Sequence, residues 1–278
     1  MPALIEPHDN RNRPGLDRHP LLPRTYFNIL RLSPGASWSA TLPGFESVLV
    51  VMSGTCAIRA GAAAFGDVGE RKDIWSGNAD SVYAPAGAEI GVTARTACEV
   101  AVAGGRCDRV TEPFRIRPAE VDPVEVGSHD THSRRVIRHV LGKNADGRAG
   151  FLLVSELYAE NGCWSGYPPH KHDEDRPDDE ESGFEEAYHY RFRPENGFGA
   201  QLVFQPDGTR QAFMTSHGST ALIDRGFHPT VTSPGHDEYI FTILVGHSRR
   251  SLVQYFKDEY RYLTKVVPGV QGMIDKFK

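Results

Sequence analysis

The chain has 278 residues, 39% hydrophobic and 24% charged, enough for one large or two medium packed domains. A formal net charge of −5 and the lack of any long Lys/Arg run argue against a nucleic-acid partner. No stretch approaches the roughly 18 apolar residues of a membrane span, and MPALIEPHDN lacks a signal-type apolar core, so no membrane partner is expected and a cytoplasmic location follows by elimination.

Residues 1–24 are proline-rich and aperiodic, and read as an extended arm that packs across a neighbour. From residue 25 to 110 the texture is that of short strands: Tyr26 to Leu32, then Ser47 to Met52 and Thr55 to Arg59 around a Ser53-Gly54 turn. Ser81 to Val92 repeats the scheme around Pro85–Gly87, and Ala97 to Val102 closes the set. This half has no histidine between His19 and His129, so it is expected to hold no histidine metal site. Residues 111–135 form a polar, broken connector ending in Arg134 and Arg135, with Arg138 just beyond. Arginine forks there suit a carboxylate, and Arg135 is the candidate substrate-binding residue. Residues 136–250 repeat the strand rhythm. Residues 251–278 form a charged tail in which Pro268 opens a short helix with Val270, Met273, Ile274 and Phe277 on one face. The fold class predicted is all-β, antiparallel barrels or jelly rolls with few short helices. Cys56, Cys98, Cys107 and Cys163 contain no CxxC pair and are expected to be reduced, with a Cys98–Cys107 disulfide left open.

The chemistry concentrates between Trp164 and Tyr190. His170 and His172 sit two apart, which on a strand puts both on one face and Lys171 on the other. Residues 173–186 hold nine carboxylates and read mostly as a solvated loop. Glu185 and Glu186 both compete as a carboxylate ligand. Glu186 is preferred because Tyr188 and Tyr190 share its face. Gly226-Phe227-His228-Pro229 supplies a third histidine in a turn. His170, His172, Glu186 and His228 would hold one divalent transition metal ion, zinc first with manganese or iron as alternatives, leaving a position for substrate. Tyr188 is the candidate catalytic residue and Tyr190 a second substrate-binding one. No general base is legible.

The strings Trp164-Ser165-Gly166-Tyr167-Pro168-Pro169-His170-Lys171-His172-Asp173, Glu185-Glu186-Ala187-Tyr188-His189-Tyr190, Asn196-Gly197-Phe198 and Gly226-Phe227-His228-Pro229 occur in an order and spacing that resembles the 5-deoxy-glucuronate isomerase family of inositol catabolism. That family is a bicupin one, related to uronate ketol-isomerases. The resemblance implies two cupin-type jelly-roll barrels, the first without metal ligands. It also implies metal-dependent aldose–ketose interconversion of 5-deoxy-glucuronate and 2-deoxy-5-keto-gluconate, with a small anionic sugar as the partner molecule. The rivals are a metal-dependent dioxygenase on the same fold and a non-enzymatic sugar-binding bicupin. Short edge strands and the proline-rich arm suggest a homodimer.

Overall fold

The computed structural model describes residues 2–9 and 11–277. Two β-sandwich barrels follow one another. In the first, a six-stranded sheet runs in the spatial order Phe114–Ile116, Asp80–Ala84, Phe45–Ser53, Cys98–Arg106, Leu22–Leu32, Leu16–His19. It faces a four-stranded sheet of Ser37–Thr41, Glu89–Ala94, Cys56–Ala60 and Ala63–Val68. In the second, a seven-stranded sheet runs Ala3–Ile5, Thr220–Ile223, Phe184–Arg193, Asp237–Gly246, Leu152–Glu160, Arg135–Leu141, Asp122–Val126. Opposite it lie Trp164–Ser165, Thr230–Thr232, Phe198–Phe204 and Arg210–Ser216. The all-β, two-barrel expectation stands, and the helical pieces are short: Asp258–Lys265 in 3-10 form and one α-helix, Val270–Phe277. Among the described residues no helix is long and apolar enough to cross a membrane.

Strand alternation decides what each face does. Leu30, Leu49, Val51, Val100 and Val102 fill the first barrel, while Ile137, Leu157, Tyr190, Phe192 and Ile240 fill the second. The opposite faces of the two large sheets pack back to back, with Phe27, Val48, Val50 and Ala101 against Val154, Ala187, Phe241 and Ile243. The central strands are therefore buried on both faces, which is why they read as nearly unbroken apolar runs rather than alternating ones. Buried charge crosses the same interface. Arg71 forks onto Glu156 at 2.9 and 2.6 Å, Arg191 forks onto Glu99 at 2.7 Å twice, and Glu46 accepts the backbone N–H groups of Gly150, Phe151 and Leu152. Paired and hydrogen-bonded in this way, each charge is compensated where water is excluded.

Two expectations change and one open point closes. The turn at Ser53-Gly54 does not close a hairpin: Phe45–Ser53 and Cys56–Ala60 belong to different sheets, and the turn carries the chain from one to the other. A β-carbon on Gly54 would sit 2.2 Å from the Ala97 carbonyl oxygen, and φ there is +76°, so the crossing needs glycine. The arm is not reserved for a neighbouring molecule, because Ala3–Ile5 pairs with Thr220–Ile223 in the second barrel, and Leu16–His19 already belongs to the first. Cys98 and Cys107 stand at opposite ends of one extended strand segment, roughly 30 Å apart at the usual rise per residue, so they cannot bond; all four cysteines are free and buried. The strand bearing His170 pairs with Tyr255–Phe256 of the tail. The predicted terminal helix is present with Val270 and Met273 buried, while the Phe277 side chain lies outside the described residues.

Candidate metal centre

His170 and His172 enter the second barrel from the short ribbon His170–Lys171, and His228 from the turn before Thr230–Thr232. The ring nitrogens of all three come within 4.8 Å of one another. Glu186, on the inward face of Phe184–Arg193, places Oε2 3.0 Å from Nε2 of His172 and 3.0 Å from Nε2 of His228. All four side chains are buried. The outer nitrogens of two rings are fixed by the backbone: His170 Nδ1 lies 2.9 Å from the Pro168 carbonyl oxygen and His228 Nδ1 lies 2.7 Å from that of Gly226. A ring that donates from Nδ1 to a carbonyl keeps its Nε2 lone pair for a metal. His228 Nε2 fits this assignment, being buried and out of line for a hydrogen bond despite its closeness to Glu186.

The electrostatics agree with a cation site. Burial, then the nearby His228 and His172, push His170 down to about 3, so it is a neutral lone-pair donor. Burial alone would raise the Glu186 carboxyl, but His172 and His228 outweigh it and hold the group well below the usual carboxylate range. Three imidazoles and one carboxylate could hold a divalent metal and suit a catalytic one.

The acidic insert is mostly exposed from 174 to 180, as expected of a solvated loop, but it is anchored at both ends. Glu181 is fully buried and accepts from Lys171 Nζ at 2.9 Å and from the backbone N–H groups of Asp173 and Glu174. Asp173 also meets Lys171 and accepts the Gly226 N–H at 2.7 Å, tying the His170 ribbon to the turn that carries His228. Lys171 does face away from the ligand side, as strand alternation requires.

The cavity beside the four groups is lined by Arg135, Ser155, Tyr188, Thr242, Gln254 and Met273 among others. Tyr188 lies there, and burial, then the nearby Glu186 charge, keep its phenol protonated, raised well above its usual value. Tyr190 does not reach this cavity, which corrects the expectation of a second substrate-binding tyrosine. It sits one inward step deeper on the strand, and its hydroxyl donates to Gln201 Oε1 at 2.6 Å. His129 lies exposed outside the cavity.

Arg135 is completely buried. Its guanidinium donates only to backbone oxygens, to Ser133 at 2.9 Å and Tyr167 at 2.6 Å, and no carboxylate partners it among the described residues. Burial lowers it to about 10, so it still carries its charge at neutral pH.

Three site features escaped the sequence reading. The tail supplies Leu252, Gln254 and Met273 to the cavity wall, and Gln254 Nε2 lies 2.9 Å from His170 Nε2. Phe256 packs on the His170 ring at 5.5 Å between centroids. Ser155 and Thr242 were legible only as polar residues in otherwise apolar strands, since nothing in the sequence states which face those strands turn inward.

A sequence profile of the KduI/IolB family matches residues 16–263. The chain is 31% identical to a 5-deoxy-glucuronate isomerase of Bacillus licheniformis over 226 residues, covering 81% of this chain and 82% of that protein. It is also 31% identical to a 5-deoxy-glucuronate isomerase of Lacticaseibacillus casei over 229 residues, with the same shares covered. Among solved structures, an IolB-like protein from Salmonella typhimurium superposes with a TM-score of 0.80 at 27% identity, over 87% of this chain and 90% of that one. An oxalate decarboxylase from Bacillus subtilis superposes at 0.61 with 14% identity, over 93% and 78%, a likeness of fold alone. With the profile spanning nearly the whole of both barrels, the chain belongs to the KduI/IolB family.

Proposed function

We propose that this protein is a metal-dependent isomerase interconverting 5-deoxy-glucuronate and 2-deoxy-5-keto-gluconate, with His170, His172, Glu186 and His228 holding one zinc ion. The observation that carries the reading is Arg135: a buried, charged guanidinium without a carboxylate partner, in the wall of the same cavity. An uncompensated buried cation is costly, and a substrate carboxylate would remove that cost. A sugar acid is therefore the ligand class that completes this pocket.

A bound divalent ion supplies a Lewis acid that eases ionisation of a C–H beside a carbonyl. The chain's own residues do the rest. Arg135 anchors the carboxylate end and orients the sugar. Tyr188, kept protonated beside Glu186, donates a hydrogen bond to a substrate oxygen. Leu252, Leu244 and Met273 line the cavity with apolar surface that limits the water around the reacting carbons.

The test is isomerisation of 5-deoxy-glucuronate by purified protein, before and after chelation and after restoring single metals. Loss with the chelator and recovery with one metal supports the reading and identifies the ion. Absence of conversion by fully loaded protein rejects it. Oxygen uptake that follows iron content would favour the dioxygenase alternative.

A further inference from the structure

One row of side chains crosses the large sheet of the second barrel at a single level. The strand registers place Tyr188 opposite Thr242, Thr242 opposite Ser155, Ser155 opposite His139, and His139 opposite Asp122. Tyr188, Thr242 and Ser155 all line the cavity of the metal centre. His139, one place further along, is buried and lines a different cavity at the surface with Asp122, Lys143 and Asn144. The imidazole thus stands between the reaction cavity and an opening toward solvent.

Within the row, Ser155 and His139 are joined side chain to side chain. Thr242 Oγ1 donates to the Ser155 backbone oxygen at 3.2 Å, which commits its proton to the backbone. Ser155 Oγ lies 3.0 Å from His139 Nδ1. The imidazole is crowded into place: a β-carbon on Gly142 would come 2.8 Å from His139 Cβ, so the turn after this strand can approach only as glycine. A buried serine hydroxyl against an imidazole nitrogen, on a residue that lines the reaction cavity, is an arrangement suited to general acid–base transfer.

We propose that Ser155 and His139 form the proton relay of the isomerisation, supplying an acid–base group that no sequence motif revealed; this rests on the isomerase reading. Aldose–ketose interconversion moves one hydrogen between neighbouring carbons and one proton between their two oxygens. The relay carries the second. Ser155 Oγ accepts the proton of the substrate hydroxyl as its own proton passes to His139 Nδ1, and the electron pair of the broken O–H bond becomes part of the new carbonyl. The return transfer, from His139 through Ser155, protonates the oxygen of the former carbonyl. No proton is gained or lost overall. Tyr188 flanks the substrate from the other end of the row, two strand spacings or about 10 Å away between backbones.

The experiment compares Ser155→Ala, His139→Gln, the double variant and Ser155→Thr with the unaltered protein on 5-deoxy-glucuronate, recording kcat, KM and bound metal. The expected result is a loss of about 100-fold in kcat for each single variant, with KM and metal content within about twofold. The double variant should fall no further than the worse single one, because the pair acts as a unit. Ser155→Thr should recover most of the rate. Unaltered kcat in both single variants, with the starting protein active, overturns the relay and leaves the isomerase reading standing. An inactive, metal-loaded starting protein overturns both. Independent of turnover, nitrogen-15 spectra should show His139 Nδ1 unprotonated; a proton resident on Nδ1 overturns the relay.

Discussion

Glu185 and Glu186 are adjacent in the chain and point into different compartments. Glu186 turns into the barrel against His172 and His228. Glu185 turns out into the seam between the barrels, where it accepts from the Thr25 hydroxyl at 2.9 Å and the Arg24 backbone N–H at 3.0 Å. Alternation on a strand makes this unavoidable once one of them is a ligand. Glu186→Ala is expected to lose metal affinity by tenfold or more, on the order seen when a metal site is disturbed even outside its ligands. Glu185→Ala should keep its metal and lower the melting temperature instead. Metal analysis of the two purified variants checks this, and greater metal loss from Glu185→Ala would reverse the assignment.

Arg135→Ala should raise KM for a sugar acid by roughly 10- to 100-fold, the worth of a charge-assisted hydrogen-bonded contact. Arg135→Lys should recover only part, since the ammonium lacks the fork. The deciding comparison uses an analogue in which the carboxylate is reduced to an alcohol. Unaltered protein and Arg135→Ala should handle it equally, and a persistent advantage for the unaltered protein would mean Arg135 does not bind the carboxylate.

Among the described residues, neither oxygen of the buried Glu238 carboxyl has a hydrogen-bond partner, nor do the Thr215 and Thr232 hydroxyls. Burial raises it to about 8. In the unfolded chain it titrates near about 4.3, so between those values the unfolded state has lost a proton that the native state keeps. Stability is complete below the lower value and falls as pH rises toward 8. Glu238→Gln is expected to unfold like the unaltered protein near pH 4 and to be more stable at pH 8, by up to a few kcal/mol. Denaturant curves at the two pH values measure it; no gain at pH 8 would refute the account.

Two arginine–glutamate pairs share the same 2.6 Å separation and differ in burial. Arg71–Glu156 is sealed between the barrels, and Tyr239 also donates to Glu156 at 2.9 Å. Arg59–Glu89 lies half-exposed on the first barrel. Glu156→Ala should cost about 3–5 kcal/mol by stranding a buried guanidinium, whereas Glu89→Ala should cost about 1 kcal/mol or less. Comparable losses in denaturant unfolding would show that the interface is wetter than its packing suggests.

The local chemistry was legible without coordinates. The spacing of His170 and His172, the Gly226 to Pro229 turn and the strand rhythm of both halves depend on neighbours in sequence, and side-chain alternation is a local property of the backbone. The choice of Glu186 over Glu185 also followed from alternation, once Tyr188 was taken as inward-facing. What the sequence left undetermined depends on which distant segments meet. A turn signal at Ser53-Gly54 does not say whether its flanking strands pair or part into two sheets. Tyr188 and Tyr190 share a face but not a depth. The pairing of Tyr255–Phe256 with His170–Lys171 brings a charged tail to the metal centre, and the meeting of His139 with Ser155 needs two strands in one register. Those contacts arise from closing the barrel, where long-range packing and backbone pairing select partners that no local pattern encodes.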